Sequence, residues 1–205
     1  MAPSRAWVLA AWAAGRGGDA IASTVAERYR RVGGRFAEIV GQVEPAGWDR
    51  RAPCEGWAAR DVVGHLVEWV PAFFSAAGGP PMAGGPSAHD DPAAAWAALH
   101  AAILALLDDP AASSAPISHP RAGAHRFDEA IDTFVTPDVL VHSWDLARSA
   151  GLDDTLDAEL VHDLLVRMEP LDEALRASGQ FGPRIDVPAG ADEQTRLIAF
   201  TGRQP

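Results

Sequence analysis

The sequence predicts an all-α protein, and three observations carry that expectation. Apolar residues recur every three to four positions in several separate stretches, the period of an amphipathic helix. Glycine, proline and aspartate, which stop helices, fall between those stretches. No segment alternates apolar and polar residues as a half-buried strand would, and no internal repeat is visible.

Taken in order, residues 1–20 read as a poorly ordered extension, and residues 21–205 as a single helical domain. Arg5 precedes an apolar run from Ala6 to Ala14 that resembles a short signal-peptide core, but it lacks a clear small-x-small cleavage site. Thr24 to Val43 forms the first helix, with Val25, Tyr29, Val32, Phe36, Ile39 and Val40 at helical spacing. Its Gly33-Gly34 pair weakens it by about 1 kcal/mol per glycine relative to alanine. A loop from Pro45 to Trp57 carries Pro53-Cys54-Glu55-Gly56-Trp57, and a second helix then runs from Ala59 to Ala76. Val62, Leu66, Trp69 and Phe73 are its apolar stripe. Gly78 to Pro92 is too rich in glycine and proline for regular structure.

Asp91-Pro92 opens a third, alanine-rich helix that Asp108-Asp109-Pro110 ends near Leu107. Residues 111–127 are irregular or hold a short extended piece. The fourth helix spans Asp128 to Ser149 and stops at Gly151, a natural C-cap. Pro137 lies inside it, so either the helix kinks there or Thr136 caps a fresh start. A fifth helix from Asp157 to Ala177 is interrupted by Pro170. After Phe181-Gly182-Pro183, a short helix near Asp192 to Phe200 precedes an irregular tail.

With 205 residues, 48% of them hydrophobic, the chain can bury a sizeable core. Its net charge of −11 argues against nucleic-acid or anionic-membrane partners, since polyanions repel an acidic surface. All 17 basic residues are arginine, and lysine and asparagine are both absent. Lysine Schiff-base chemistry and phosphate binding through a P-loop lysine are therefore excluded. Cys54 is the only cysteine, which rules out an internal disulfide and any CxxC motif and fits a cytoplasmic setting. No G-x-S-x-G, Walker A or G-x-G-x-x-G motif is present.

The chemistry concentrates on two helices. Asp61-Val-Val-Gly-His65 puts a histidine on an apolar helical face, and Asp138-Val-Leu-Val-His142-Ser-Trp-Asp145 puts three ionisable groups on another. Asp138 and His142 are four apart, so their side chains share a side of the helix. At about 100° per residue, Ile131, Phe134, Val135, Asp138, His142 and Asp145 fall in one broad sector. Burying such groups costs several kcal/mol unless they are paired or bound to a metal. A divalent metal, best matched by zinc, shared by His65, Asp138 and His142 would offset that cost and leave a fourth position open. Asp145, one turn beyond His142, would accept a hydrogen bond from a ligand imidazole's ring N–H and orient it, or serve as a ligand itself.

Each of these residues also has a plainer reading. Either histidine could be a core residue bonded to a carbonyl, Asp138 could complement a helix dipole, and Asp145 could pair with Arg148. Glu68 is a general acid or base, or a residue at the solvent edge. His89, His100, His119, His125 and His162 are expected at the surface. Cys54 has no histidine or lysine close in sequence to activate it as a nucleophile.

Pro53-Cys54-Glu55-Gly56-Trp57-Ala-Ala-Arg60-Asp61-Val-Val-Gly-His65-Leu resembles a signature of the metal-binding domain of mycothiol-dependent maleylpyruvate isomerase relatives, within the DinB-like superfamily. Asp138-Val-Leu-Val-His142-Ser-Trp144-Asp145-Leu-Ala-Arg148 is similar to that group's second signature. Arg196-Leu-Ile-Ala-Phe-Thr201-Gly202-Arg203 is similar to the ending of an actinobacterial branch, so the resemblance runs over residues 24–205. It implies a DinB-like four-helix bundle, extended by a C-terminal helix and tail. It also implies a divalent metal, usually zinc, on His65, Asp138 and His142. The isomerase has Glu in place of Asp138, and relatives often have a capping Thr in place of Ala58.

The resemblance further implies a thiol cofactor such as mycothiol and an electrophilic small-molecule substrate, in a transferase or an isomerase. Asp145 would then orient His142, and Arg148 would contact an anionic group of the cofactor. A non-catalytic bundle that binds a metal or small molecule for sensing is the alternative. A homodimer is one option for its assembly.

Overall fold

In a computed structural model, described for residues 23–177 and 182–205, the chain is all-α apart from one small hairpin. The extension at residues 1–20, with its apolar run, and Phe181 lie outside the described residues. Among the described residues two compact units are present, one over 23–155 and the other beginning at Leu156.

The first unit is built on four long helices. Helix α1 (Val25–Gln42) starts at a capping box, in which Thr24 and Glu27 satisfy each other's backbone N–H groups. Helix α2 (Ala59–Ala76) has no side-chain oxygen at its N-cap, Ala58. Asp61 compensates, its carboxylate accepting the Ala58 N–H at 2.8 Å. Helix α3 (Pro92–Asp108) is capped by Asp91 through the Ala94 N–H at 2.9 Å, and a single turn, α4 (Pro110–Ser113), follows it.

Strands β1 (Pro116–His119) and β2 (Gly123–Arg126) then pair antiparallel, with His119 opposite Gly123. This hairpin occupies the segment the sequence left as irregular or briefly extended. Four residues per strand, with Ile117 the one buried apolar residue, are too few to show alternation. The Ser118 N–H bonds the Ala77 carbonyl at 2.9 Å and ties the hairpin to the end of α2.

The fourth long helix does not restart at Pro137. Helix α5 (Phe127–Ala130) passes through a π turn (Ile131–Val135) directly into α6 (Thr136–Ala150). Within a regular helix the Pro137 ring would collide with the carbonyl four residues back. The π turn, in which the Thr136 N–H reaches the Ile131 carbonyl, supplies one extra residue just before it. Thr136 is itself helical and caps nothing; its hydroxyl is buried without a partner among the described residues. The helix ends at Gly151 (φ 70°), with Leu152 N–H on the Ala147 carbonyl and Gly151 N–H on that of Arg148, a Schellman closure.

Helix α1 lies against α3 and α6, and α2 lies against the same two, which makes a four-helix ring with α1 and α2 on opposite corners. Phe36, Leu66, Phe74, Trp96, Ile103, Phe134 and Leu146 fill its core. Arg28 reaches from α1 to the buried Asp132 in the π turn at 2.7 Å. In the second unit, helix α7 (Ala158–Met168) leads through a tight turn containing Pro170 to α8 (Asp172–Ala177), and α7 packs on α9 (Glu193–Phe200). Among the described residues, no helix is long and apolar enough to cross a membrane.

Candidate metal centre

Two helices of the ring and the loop before α2 build the site. In that loop the Ala52 N–H bonds the Trp57 carbonyl at 2.8 Å, and the Trp57 N–H bonds the Cys54 carbonyl at 3.1 Å. Gly56 turns the chain at φ 79°, a conformation glycine adopts without penalty. The turn sets Cys54 and Trp57 against α6, and α2 begins immediately after it.

His65 on α2 and the Asp138–His142 pair on α6 converge as the spacing predicts. His65 Nε2 lies 3.1 Å from Asp138 Oδ2, and His142 Nε2 lies 3.5 Å from Asp138 Oδ1. One donor atom from each residue falls within 4.8 Å of the other two. Around a tetrahedral zinc with bonds of about 2.0–2.1 Å, donor atoms stand about 3.3 Å apart. His142 Nε2 and Asp138 Oδ1 stand near that separation, and two imidazoles with one carboxylate form a donor set suited to the ion. The residues fit the group.

Asp145 completes the arrangement from behind. It is fully buried, and its Oδ2 lies 2.8 Å from His142 Nδ1. His142 is itself 5% exposed, so its ring is held with one nitrogen on Asp145 and the other facing Asp138. Cys54 Sγ donates to the same Oδ2 at 3.4 Å. Cys54, His142 and Asp145 form a second close group of possible ligands. The 2.8 Å contact decides its nature: it is short for two donors around one ion and normal for an N–H···O bond. Asp145 is therefore an orienting acceptor, as carboxylates behind ligand histidines are. A thiol that faces this carboxylate is a hydrogen-bond donor to it.

Aromatic rings line the remaining sides. Trp57 stacks on His142 with centroids 5.8 Å apart and lies 5.1 Å from His65. Trp69, one turn beyond His65, donates its indole N–H to Asp138 Oδ2 at 2.9 Å. The sequence reading placed Trp69 only in the apolar stripe. Its spacing of four from His65 was the signal that both face the same way. His65 and Asp138 keep 28% and 31% of their side chains exposed, which leaves one side of the cluster open to solvent.

Arg148 is held elsewhere, paired with Asp154 at 3.2 Å and lying over the Trp144 ring. Glu68 is exposed. Surface placement holds for His89 and His162. His119, stacked on Phe73, His125, edge-on to Phe134, and His100, packed between α1 and α3, are half-buried.

Two uncharacterized proteins of Mycobacterium tuberculosis, from strains CDC 1551 and H37Rv, are each 28% identical to this chain over 180 residues. The alignments cover 85% of this chain and 95% of theirs. No solved structure gives a significant match. A family model described as the mycothiol maleylpyruvate isomerase N-terminal domain matches residues 29–147. That stretch is more than half of the chain, runs from α1 into α6 and contains all three convergent residues, so the chain belongs to the mycothiol maleylpyruvate isomerase N-terminal domain family.

Proposed function

We propose that this is a divalent-metal protein, zinc being the best match, that works as a mycothiol-type thiol-dependent transferase or isomerase. The convergence of His65, Asp138 and His142 from two helices, with Asp145 buried behind, is the observation that carries this reading. A zinc-like ion at the open position would stabilise the sulfur of a small thiol as its thiolate at neutral pH. The matching reaction classes are conjugation of that sulfur to an electrophilic carbon, and cis–trans isomerisation of a conjugated double bond.

The chain's own residues do the rest. Asp145 keeps the proton on His142 Nδ1 and so leaves the Nε2 lone pair free to ligate. Trp57 packs against both imidazoles, stacking on His142 and lying tilted to His65. The exposed side, at His65 and Asp138, is where thiol and electrophile would arrive. Arg148 rests on Asp154 and Trp144, and it would contact an anionic group of the cofactor by leaving that exposed pair. A cytoplasm, with its reduced thiols, is the setting that suits this chemistry.

Purified protein stripped of metal and titrated with zinc should bind one ion per chain, and His65→Ala should lose that binding. Absence of binding in the wild type, or unchanged binding in the variant, would overturn the metal site. The loaded protein should then conjugate mycothiol or another small thiol to members of an electrophile panel. Silence across the panel with metal fully loaded selects the non-catalytic alternative, a metal-binding or small-molecule-sensing bundle.

A further inference from the structure

We infer that Trp69 is a positioning residue for the metal centre: its indole N–H fixes the Asp138 carboxylate so that Oδ1 is the oxygen offered to a cation. The inference rests on the metal-site reading above and adds to it a residue that neither ligates nor orients a histidine. The Trp69 N–H stands 2.9 Å from Asp138 Oδ2, the oxygen that also faces His65 Nε2 at 3.1 Å. The other oxygen, Oδ1, faces His142 Nε2 at 3.5 Å. The two oxygens of one carboxylate thus have different partners, and the carboxylate cannot rotate without breaking the indole bond.

Proton accounting sharpens the point. To ligate, His65 must offer a lone pair at Nε2 and so cannot donate a proton to Oδ2 from that atom. Trp69 carries a permanent N–H that no ligand role removes, so it keeps hold of Oδ2 in either state. An aspartate has one bond fewer than a glutamate with which to reach a shared centre. A fixed donor crossing over from α2 confines that short side chain to one orientation. Because α2 carries both His65 and Trp69, one helix face supplies a ligand and the clamp on the ligand opposite.

The test compares zinc affinity, by competition with a chromophoric chelator, in the wild type, Trp69→Phe and Trp69→Gln. Phenylalanine keeps an aromatic ring and lacks the donor. Glutamine loses the ring but carries an N–H donor at the same number of bonds from Cα. Loss of a hydrogen bond behind a ligand weakens metal affinity by about 10–100-fold. Trp69→Phe should show that loss, and Trp69→Gln should return to within about threefold of the wild type. With cobalt in place of zinc, Trp69→Phe should also alter the visible absorption that reports carboxylate coordination. Metal-free far-UV circular dichroism should be the same for all three proteins.

Wild-type affinity in Trp69→Phe overturns the inference. So does Trp69→Gln as weak as Trp69→Phe, because ring packing rather than the N–H would then be at work. A wild type that binds no zinc overturns the metal-site reading itself. That outcome is visible before any variant is compared.

Discussion

Two clusters in the four-helix ring set histidine among aromatic rings, and only one of them brings three possible metal ligands together. At the first, His142 has a carboxylate facing each ring nitrogen, Asp138 on one side and Asp145 on the other. At the second, His100 on α3 stacks on Trp96, and its Nδ1 meets the Tyr29 hydroxyl at 3.3 Å. Its ring also sits over Gly33 of α1, where an added Cβ would lie 2.6 Å away. The first histidine is surrounded by charge, the second by hydrocarbon and a phenol. Burial of an imidazole is therefore a poor guide to a site; what its two nitrogens face is a better one.

The largest expected effect comes from removing the imidazole that charge surrounds. In His142→Ala the carboxylate of Asp145, wholly buried, keeps Cys54 as a neutral partner and loses the ring. Removing a hydrogen-bond donor from a buried carboxylate costs about 1–3 kcal/mol. Denaturant unfolding of the metal-free variant should show a loss of that order, together with complete loss of zinc binding. His65→Ala, at the half-exposed end of the same cluster, should lose zinc binding and less than about 1 kcal/mol of stability. Equal stability losses in the two variants would erase the distinction between a buried anchor and an open ligand.

The sequence carried much of this design, and where it fell short the cause was tertiary. Local chemistry made α1, α2, α3, α7 and α9 legible: caps at Thr24, Asp91, Asp157 and Asp192, and apolar stripes that bury as spaced. The convergence of His65, Asp138 and His142 was legible because an i, i+4 pair fixes its own geometry, and a second histidine on an apolar face needs a partner. The hairpin was not, since four-residue strands carry too little pattern. The π turn escaped because the 100° rule assumes an unbroken helix, and Pro137 was readable only as a kink or a start. His100, His119 and His125 are half-buried rather than fully exposed for a different reason. Polar or loop surroundings in sequence say nothing about which ring of another element comes to lie against them.

The second cluster offers a smaller effect with opposite signs at neighbouring positions. Gly33 and Gly34 both weaken α1 as a helix, by about 1 kcal/mol each. A methyl at Gly33 would collide with His100, which cannot swing away while Trp96 and Tyr29 hold it. Gly33→Ala should therefore destabilise by about 1–3 kcal/mol despite its better helix propensity. Nothing lies within 4 Å of a methyl at Gly34, so Gly34→Ala should stabilise by up to about 1 kcal/mol. Chemical unfolding of the two variants decides it. Two changes of the same sign would mean that His100 is not the rigid wall described here.

The smallest effect is a pH dependence that should separate the two clusters. Burial against Trp96 and Tyr29 lowers the pKa of His100 below the ordinary value for histidine, about 6.5. The folded protein thus binds this proton less readily than the unfolded chain. Above pH 6.5 both states leave His100 neutral, and it contributes no pH dependence. As pH falls below that value the unfolded chain takes up the proton first, so stability drops until the folded pKa is reached. Replacing His100 by a neutral side chain should remove that contribution alone. Denaturant midpoints at pH 7.5 and pH 5.5 should then differ less in His100→Gln than in the wild type, whatever the other histidines do. An equal difference in both proteins would mean that His100 carries its charge in the fold, and with it would go the contrast between an imidazole held by carboxylates and one held by rings.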